Sequence, residues 1–169
     1  MENKALINKI NDIWEKDQKI RLNRGIPLKN LREHDIRQTA LVKEIYAKNG
    51  LITSREYPME VVNIFTLLVQ HALDVRFAEE YLHDLLEHGL EEDKKKAPFL
   101  IDKILVSQDK KQIYGTIVST RKNSDGSLIT KPKPCIDQDN IDVRRKSVGL
   151  SPMGEYLIRA EELYKKINR

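Results

Sequence analysis

The chain lacks most of what would let it work through thiolates, disulfides or a membrane. It has one cysteine, Cys135, so no intramolecular disulfide can form, and four scattered histidines leave no Cys-based metal framework. No metal site is expected, and no cofactor is indicated. No apolar run approaches the roughly 20 residues that span a bilayer. The start MENKALINKI has none of the cationic, apolar and small-residue regions of a signal peptide. The expected location is therefore cytoplasmic, with no membrane partner. GxxxxGK(S/T), GxGxxG and GxSxG are absent, which leaves ATPase, dinucleotide-binding and hydrolase-elbow chemistry without support. Aromatics are sparse at 6% of residues.

Charge is abundant. Of 169 residues, 33% are charged and 40% hydrophobic, enough for one compact domain over residues 1–169. The stretch from Lys94 to Lys146 holds 13 Lys/Arg against 6 Asp/Glu, and the rest 17 against 20. Such an excess attracts phosphate, but within it only Phe99 and Tyr114 are available for base stacking, so nucleic acid is not an expected partner. Lysines on helix ends and hairpin tips serve solubility equally well.

The apolar spacing is mostly helical. Leu6, Ile10, Ile13, Trp14 and Ile20 recur at three- and four-residue steps in a first helix from Asn3 to Leu22, broken by Arg24-Gly25-Ile26-Pro27. A second helix, Leu31 to Lys48, is expected to turn Ile36, Ala40, Leu41, Ile45 and Tyr46 inward and to close at Asn49-Gly50. Pro58 suits the first turn of a third helix that is apolar on nearly every side and so central. Asp74 can cap a fourth helix ending at His88-Gly89, and a short fifth starts near Pro98. The β-branched alternation of Ile113 to Ser119, the turn residues Asn123-Ser124-Asp125-Gly126 and a return over Ser127 to Thr130 predict a β-hairpin at about 112–131. Ser151-Pro152 with Glu155 opens a last helix. The fold class is mainly α: about six helices, with one β-hairpin inserted before the C-terminal helix.

Several polar residues sit where chemistry is conceivable. Asp17 and Arg21, four apart on the first helix with Gln18 adjacent, can share one face and hold an anion or orient a third group; alone, the pair reads as solvated. His71, beside Gln70 at the end of the apolar segment NIFTLLVQHAL, needs hydrogen-bond partners and can titrate near neutrality. His34, His83 and His88 lie in charged surroundings and read as solvent-facing. Arg76 and His83 have the six-residue separation of an Arg–His ribonuclease pair, a spacing that chance produces often. Cys135 has no neighbouring histidine to make it a nucleophile. In QIYGTIV, Gly115 follows Tyr114, and alternation puts Gln112 and Tyr114 on one face, where Asp102, Arg144 and Arg145 could complete a polar pocket.

DQKIR (17–21), DIRQTALVKEI (35–45) followed by Gly50, LLVQHA (67–72), APFLIDKILV (97–106), QIYGT (112–116) and VRRKSVGLSPMGEYL (143–157) occur in the order seen in a bacterial domain-of-unknown-function family, number 6624, which the chain resembles over nearly its whole length. The resemblance implies that Asp17, Gln18, Arg21, Asp35, Gln70, His71, Asp102, Gln112, Tyr114, Gly115 and Arg145 are the functional positions. Gln38 stands where the family has Asn, Lys103 where it has Arg, and Ile117 where it has a second Gln. The family brings no reaction with it. Together these readings lead to a site around His71, with Asp35, Asp17 and Tyr114 beside it. In such a site His71 is expected as the proton-transfer group, Asp35 or Asp17 as its orienting carboxylate, and Arg21 or Arg145 as the binder of an anionic group. The expected function is a small enzyme, or a binder of a small polar or anionic molecule. The alternative is a non-enzymatic interaction or immunity-type module with a protein partner, in which the same residues hold helices together.

Overall fold

The computed structural model describes residues 2–23 and 25–167; Arg24 of the expected break lies outside them. Helices α1 (Glu2–Arg21), α2 (Leu28–Asn49), α3 (Met59–His71), α4 (Val75–His88), α5 (Glu91–Lys94) and α6 (Ala97–Ser107) are followed by strands β1 (Val118–Lys122) and β2 (Leu128–Pro132). A 3-10 turn (Gln138–Asn140), α7 (Ile141–Ser147) and α8 (Met153–Ile167) complete the order. The architecture is mainly α with one antiparallel hairpin before the last helix. Two short helices, α5 and α7, add to the expected set. Among the described residues no helix is long and apolar enough to cross a membrane.

The chain divides into two compact units, one up to Leu100 and one from Ile101 onward, the division falling within α6. We propose that the two units unfold together as a single domain. Calorimetry tests it: one cooperative transition is expected, and two separated transitions would contradict it.

In the first unit, α3 is the centre. Val61, Val62, Phe65, Leu68 and Val69 are all buried, and α1, α2, α4 and α5 pack on it. Each such side chain stabilises by roughly 1.5–3 kcal/mol relative to exposure. Pro58 sits one position ahead of the helix as its N-cap residue. Asp74 caps α4 by accepting the Phe77 N–H at 3.2 Å. Gly50 ends α2 with φ +70° and donates its N–H to Tyr46. Asp93, 1% exposed, accepts the backbone N–H groups of Leu90 and Ser54.

Helix α1 buries Ile10, Ile13 and Asp17, so its inward stripe is apolar first and polar at the C-terminal end. Helix α2 does the reverse, burying His34, Gln38 and Thr39 before Val42 and Ile45. The two run antiparallel, with Lys9 paired to Glu44 and Arg21 to Asp35, so the polar ends meet. This corrects three expectations. Ile36 and Leu41 are 55% and 38% exposed and Ala40 is also exposed; His34 is buried; and Asp17 is no solvated partner of Arg21, being 0% exposed. The buried stripe of α2 takes in His34 and Gln38, which bond to each other at 2.8 Å with Asp17 of α1 3.4 Å from the same ring nitrogen, in place of Ile36, Ala40 and Leu41.

In the second unit the hairpin pairs Val118 with Pro132 through Lys122 with Leu128, and α8 packs on both strands. The first strand begins later than the predicted Ile113. Residues 113–116 do not join the ladder because their N–H groups are taken elsewhere: the Asp102 carboxylate accepts from Ile113 (2.8 Å), Tyr114 (3.1 Å), and both the N–H and hydroxyl of Thr116 (2.8 and 3.0 Å). Gly115 has φ +67°, outside the strand region. A Cβ there would lie 2.4 Å from Met153 Cε and 3.0 Å from Ile141 Cδ1. Both are ends of flexible side chains, so the backbone dominates the expected loss for Gly115→Ala, about 1–2 kcal/mol, read by urea unfolding. An unchanged midpoint would contradict the assigned conformation.

Candidate functional site

The polar ends of α1 and α2 meet the C-terminal end of α3 around the Asp17 carboxylate. Asp17 Oδ1 accepts from Arg21 Nε at 2.8 Å and lies 3.4 Å from His34 Nε2. Its Oδ2 is 2.9 Å from His71 Nδ1 and accepts from Gln18 Nε2 at 3.2 Å. Arg21 also donates from Nη2 to Asp35 Oδ1 at 2.7 Å. Burial pushes the Asp17 carboxyl up, but the hydrogen bond and charge of His71, with those of Arg21, outweigh it and hold the group below the ordinary carboxylate value.

Hydrogen counting assigns the tautomers. An ionised carboxylate only accepts, so His71 Nδ1 carries the hydrogen that faces Asp17 Oδ2. Arg21 Nε–H is shared between Asp17 Oδ1 at 2.8 Å and this same nitrogen at 3.1 Å; the closer carboxylate oxygen takes the larger part, which leaves Nδ1 to face Asp17 Oδ2 with its own hydrogen. In the neutral ring His71 Nε2 then keeps its lone pair, the bonds of this side chain among the described residues being at Nδ1. The side chain is 25% exposed and stacks on Trp14, with ring centroids 6.2 Å apart and planes at 20°. At His34, Nε2 faces two acceptors, Gln38 Oε1 at 2.8 Å and Asp17 Oδ1, so that nitrogen is the donor. Gln38 Nε2 is buried without a partner.

Thr39 fixes the approach of α2 to the end of α3. Its hydroxyl donates to the Asp35 carbonyl at 2.7 Å and accepts the Leu73 N–H at 3.0 Å, two residues beyond His71. His34, Thr39 and Trp14 were not singled out from sequence, although Thr39 lies inside the DIRQT motif. Of the expected residues, Asp17, Gln18, Arg21, Asp35 and His71 come together. Gln70 is half-buried and shares no hydrogen bond with them. Arg76 and His83 are both exposed, and His83 lies 3.5 Å from Glu87, so no ribonuclease-like pair is formed.

In the second unit, Asp102, Gln112 and Arg145 are turned towards backbone. Gln112 donates to the Ile117 and Lys133 carbonyls and accepts the Ile117 N–H at 2.7 Å. Arg145, 1% exposed, donates to the carbonyls of Ser151 (2.6 Å) and Tyr114 (2.7 Å) and covers the Tyr156 ring. Burial pulls its guanidinium below the ordinary value. Arg144 donates to Ile113, Ile136 and Asp137 carbonyls. Two cations of the basic stretch are thus committed to carbonyls rather than to a phosphate surface. The loop 112–117 is held by these side chains, with Tyr114 half-buried on it. Burial and the charge of Asp102 push the Cys135 thiol up, against any thiolate nucleophile.

No curated protein and no solved structure matches the chain. Residues 26–167 match the family of unknown function DUF6624, a stretch that includes Asp35, His71, Asp102, Gln112, Tyr114 and Arg145 and begins after Asp17, Gln18 and Arg21. With most of its length inside that match, the chain belongs to the family of unknown function DUF6624.

Proposed function

We propose that the chain is a small cytosolic bacterial enzyme acting on a small polar molecule, with His71 as general base. The observation that carries this reading is the 2.9 Å contact between His71 Nδ1 and Asp17 Oδ2, which leaves Nε2 as a free acceptor on a part-exposed ring. Asp17 orients the imidazole and stabilises its protonated form. Arg21, held between Asp17 and Asp35, has guanidinium hydrogens left for an anionic or carbonyl oxygen of the substrate. Tyr114, on its side-chain-fixed loop in the second unit, is a further candidate residue.

One observation favours the competing reading, a non-enzymatic interaction module. The bonds Arg21–Asp35 and Thr39–Leu73 tie α1, α2 and the end of α3 together, as structural polar residues would. His71→Ala separates the two. A working histidine at the edge of the cluster is dispensable for folding, so the variant should lose less than about 1 kcal/mol in urea unfolding or gain stability. A structural histidine takes one donor from the buried Asp17 carboxylate, which keeps only Arg21 and Gln18 as firm partners, and costs about 1–3 kcal/mol. A loss in the upper part of that range would favour the module.

A further inference from the structure

We propose that a cavity of about 460 Å³, between the N-terminal half of α1, the C-terminal end of α2 and the connector ahead of α3, binds a small monocarboxylate with an apolar body. Its volume is that of ordinary small-molecule sites. It is distinct from the His71 cluster: α1 carries Leu6 at the cavity and Asp17 at the cluster, a rise of about 16 Å along the helix axis. Tyr57 carries the assignment. It lines the cavity and is 8% exposed. The hydrogen bond it makes among the described residues is a backbone one, its N–H donating to the Thr53 carbonyl at 3.0 Å. Burial first, then the charge of Glu56, push the hydroxyl above its ordinary value, so at neutral pH it is an O–H donor without an acceptor. A tyrosine so buried usually finds a partner for its hydroxyl. Among the described residues the side-chain atoms both sealed from solvent and unpartnered are Asn11 Oδ1 and Gln38 Nε2, so the Tyr57 hydroxyl is open to a ligand oxygen.

The surrounding charges select an anion. Lys9 Nζ and Glu44 Oε1, both at the cavity, neutralise each other at 2.9 Å. Lys48 on the same wall has no ion-pair partner among the described residues, which leaves one net positive charge. The first turns of α1 bring the positive end of that helix dipole and the last turn of α2 the negative end of its own, so the two offset and the lysine decides the sign. Leu6 and Ile45 supply an apolar wall against which a short hydrocarbon body can pack. A carboxylate head accepts from both the Tyr57 hydroxyl and the Lys48 ammonium. An ammonium head would meet like charge and leave the hydroxyl unpaired, and a neutral alcohol would gain nothing from the charge of Lys48.

The test is an NMR titration of the full-length, 15N-labelled chain with hexanoate, 1-hexanol and hexylammonium, three probes of one shape and different head charge. Hexanoate is expected to give saturable shifts confined to the amides of the first turns of α1, the end of α2 and residues 50–58, with a Kd of about 1 mM or tighter. Tyr57→Phe should fold at least as stably as the parent, since no hydrogen bond of the hydroxyl is lost, and should bind hexanoate about tenfold more weakly. Lys48→Gln should weaken it about two- to fivefold, the effect of an exposed charge. Lys29→Gln, which alters an exposed lysine at the other end of α2, should bind as the parent does. No saturable response to hexanoate would overturn the site, as would a Tyr57→Phe variant that binds like the parent. Hexanol or hexylammonium binding as tightly as hexanoate, or Lys48→Gln without effect, would overturn the carboxylate assignment. Shifts centred on His71 instead would place the anion in the other cluster and overturn the second site, whereas failure at the cavity leaves the general-base role of His71 standing.

Discussion

Asp17→Ala is expected to destabilise the protein by about 3–5 kcal/mol, because it removes one partner of a buried charged network and leaves the others. Arg21 Nε, His71 Nδ1 and Gln18 lose the acceptor they share, and His34 loses a neighbouring one. For a chain of this size that is a fall in Tm of roughly 6–20 °C. Asp17→Asn keeps the shape and removes the titration, which gives the loss a signature. The carboxyl is held below its ordinary value in the folded protein. Its contribution is therefore fully present above the unfolded-state value near 3.9 and disappears as pH falls through the lower folded value. The stability difference between parent and Asp17→Asn should narrow between about pH 5 and pH 3. Asp74 and Asp125 are also held low but are common to both proteins, so they cancel in the comparison. Parallel stability curves over that range would contradict the assigned role of Asp17.

Asp102→Ala is expected to be of comparable size, about 3–6 kcal/mol, with a different local consequence. Four donors from three residues converge on this one buried carboxylate, and none has another acceptor within the loop. Asn is a poor substitute, since its NH2 group would face the Thr116 donors that Oδ2 now receives. Hydrogen exchange should show protection lost over 113–116 while the β1–β2 ladder keeps most of its own. A loss below about 1 kcal/mol, with the loop still protected, would show that Gln112, Arg144 and Arg145 suffice to hold it.

Much of the fold was legible because local rules and tertiary structure agreed. Asp74 as cap, Gly50 at the end of α2, the all-round apolar character of α3 and the turn at 123–126 each announce an element by their own chemistry. The misreadings share one cause, a partner distant in sequence. The β-branched alternation at 113–117 is a strand by every local measure, yet a carboxylate about ten residues earlier takes its N–H groups. Hydropathy placed Ile36, Ala40 and Leu41 inward on α2 along with Ile45; Ile45 is buried, but its N-terminal companions are His34, Gln38 and Thr39, which no apolar periodicity can pick out. The pairing of Asp17 with Arg21 was readable from spacing; its burial was not, since an exposed i,i+4 pair has the same sequence. His34 sits between exposed Glu33 and half-buried Asp35, and only contact with α1 separates it from a surface histidine.

The account rests on His71 being held by Asp17 with its outer nitrogen bare, and the measurement closest to that claim is the imidazole tautomer, read by 15N NMR of the histidines at a pH high enough that the 15N shifts no longer change with pH. In the parent protein the Nδ1–H tautomer is expected for His71, with Nε2 unprotonated, and Asp17→Asn should erode that preference because its side chain no longer only accepts. A predominant Nε2–H tautomer in the parent would mean that Nδ1 gives no hydrogen to Asp17 and that no acceptor is presented to a substrate, and the general-base reading would be wrong.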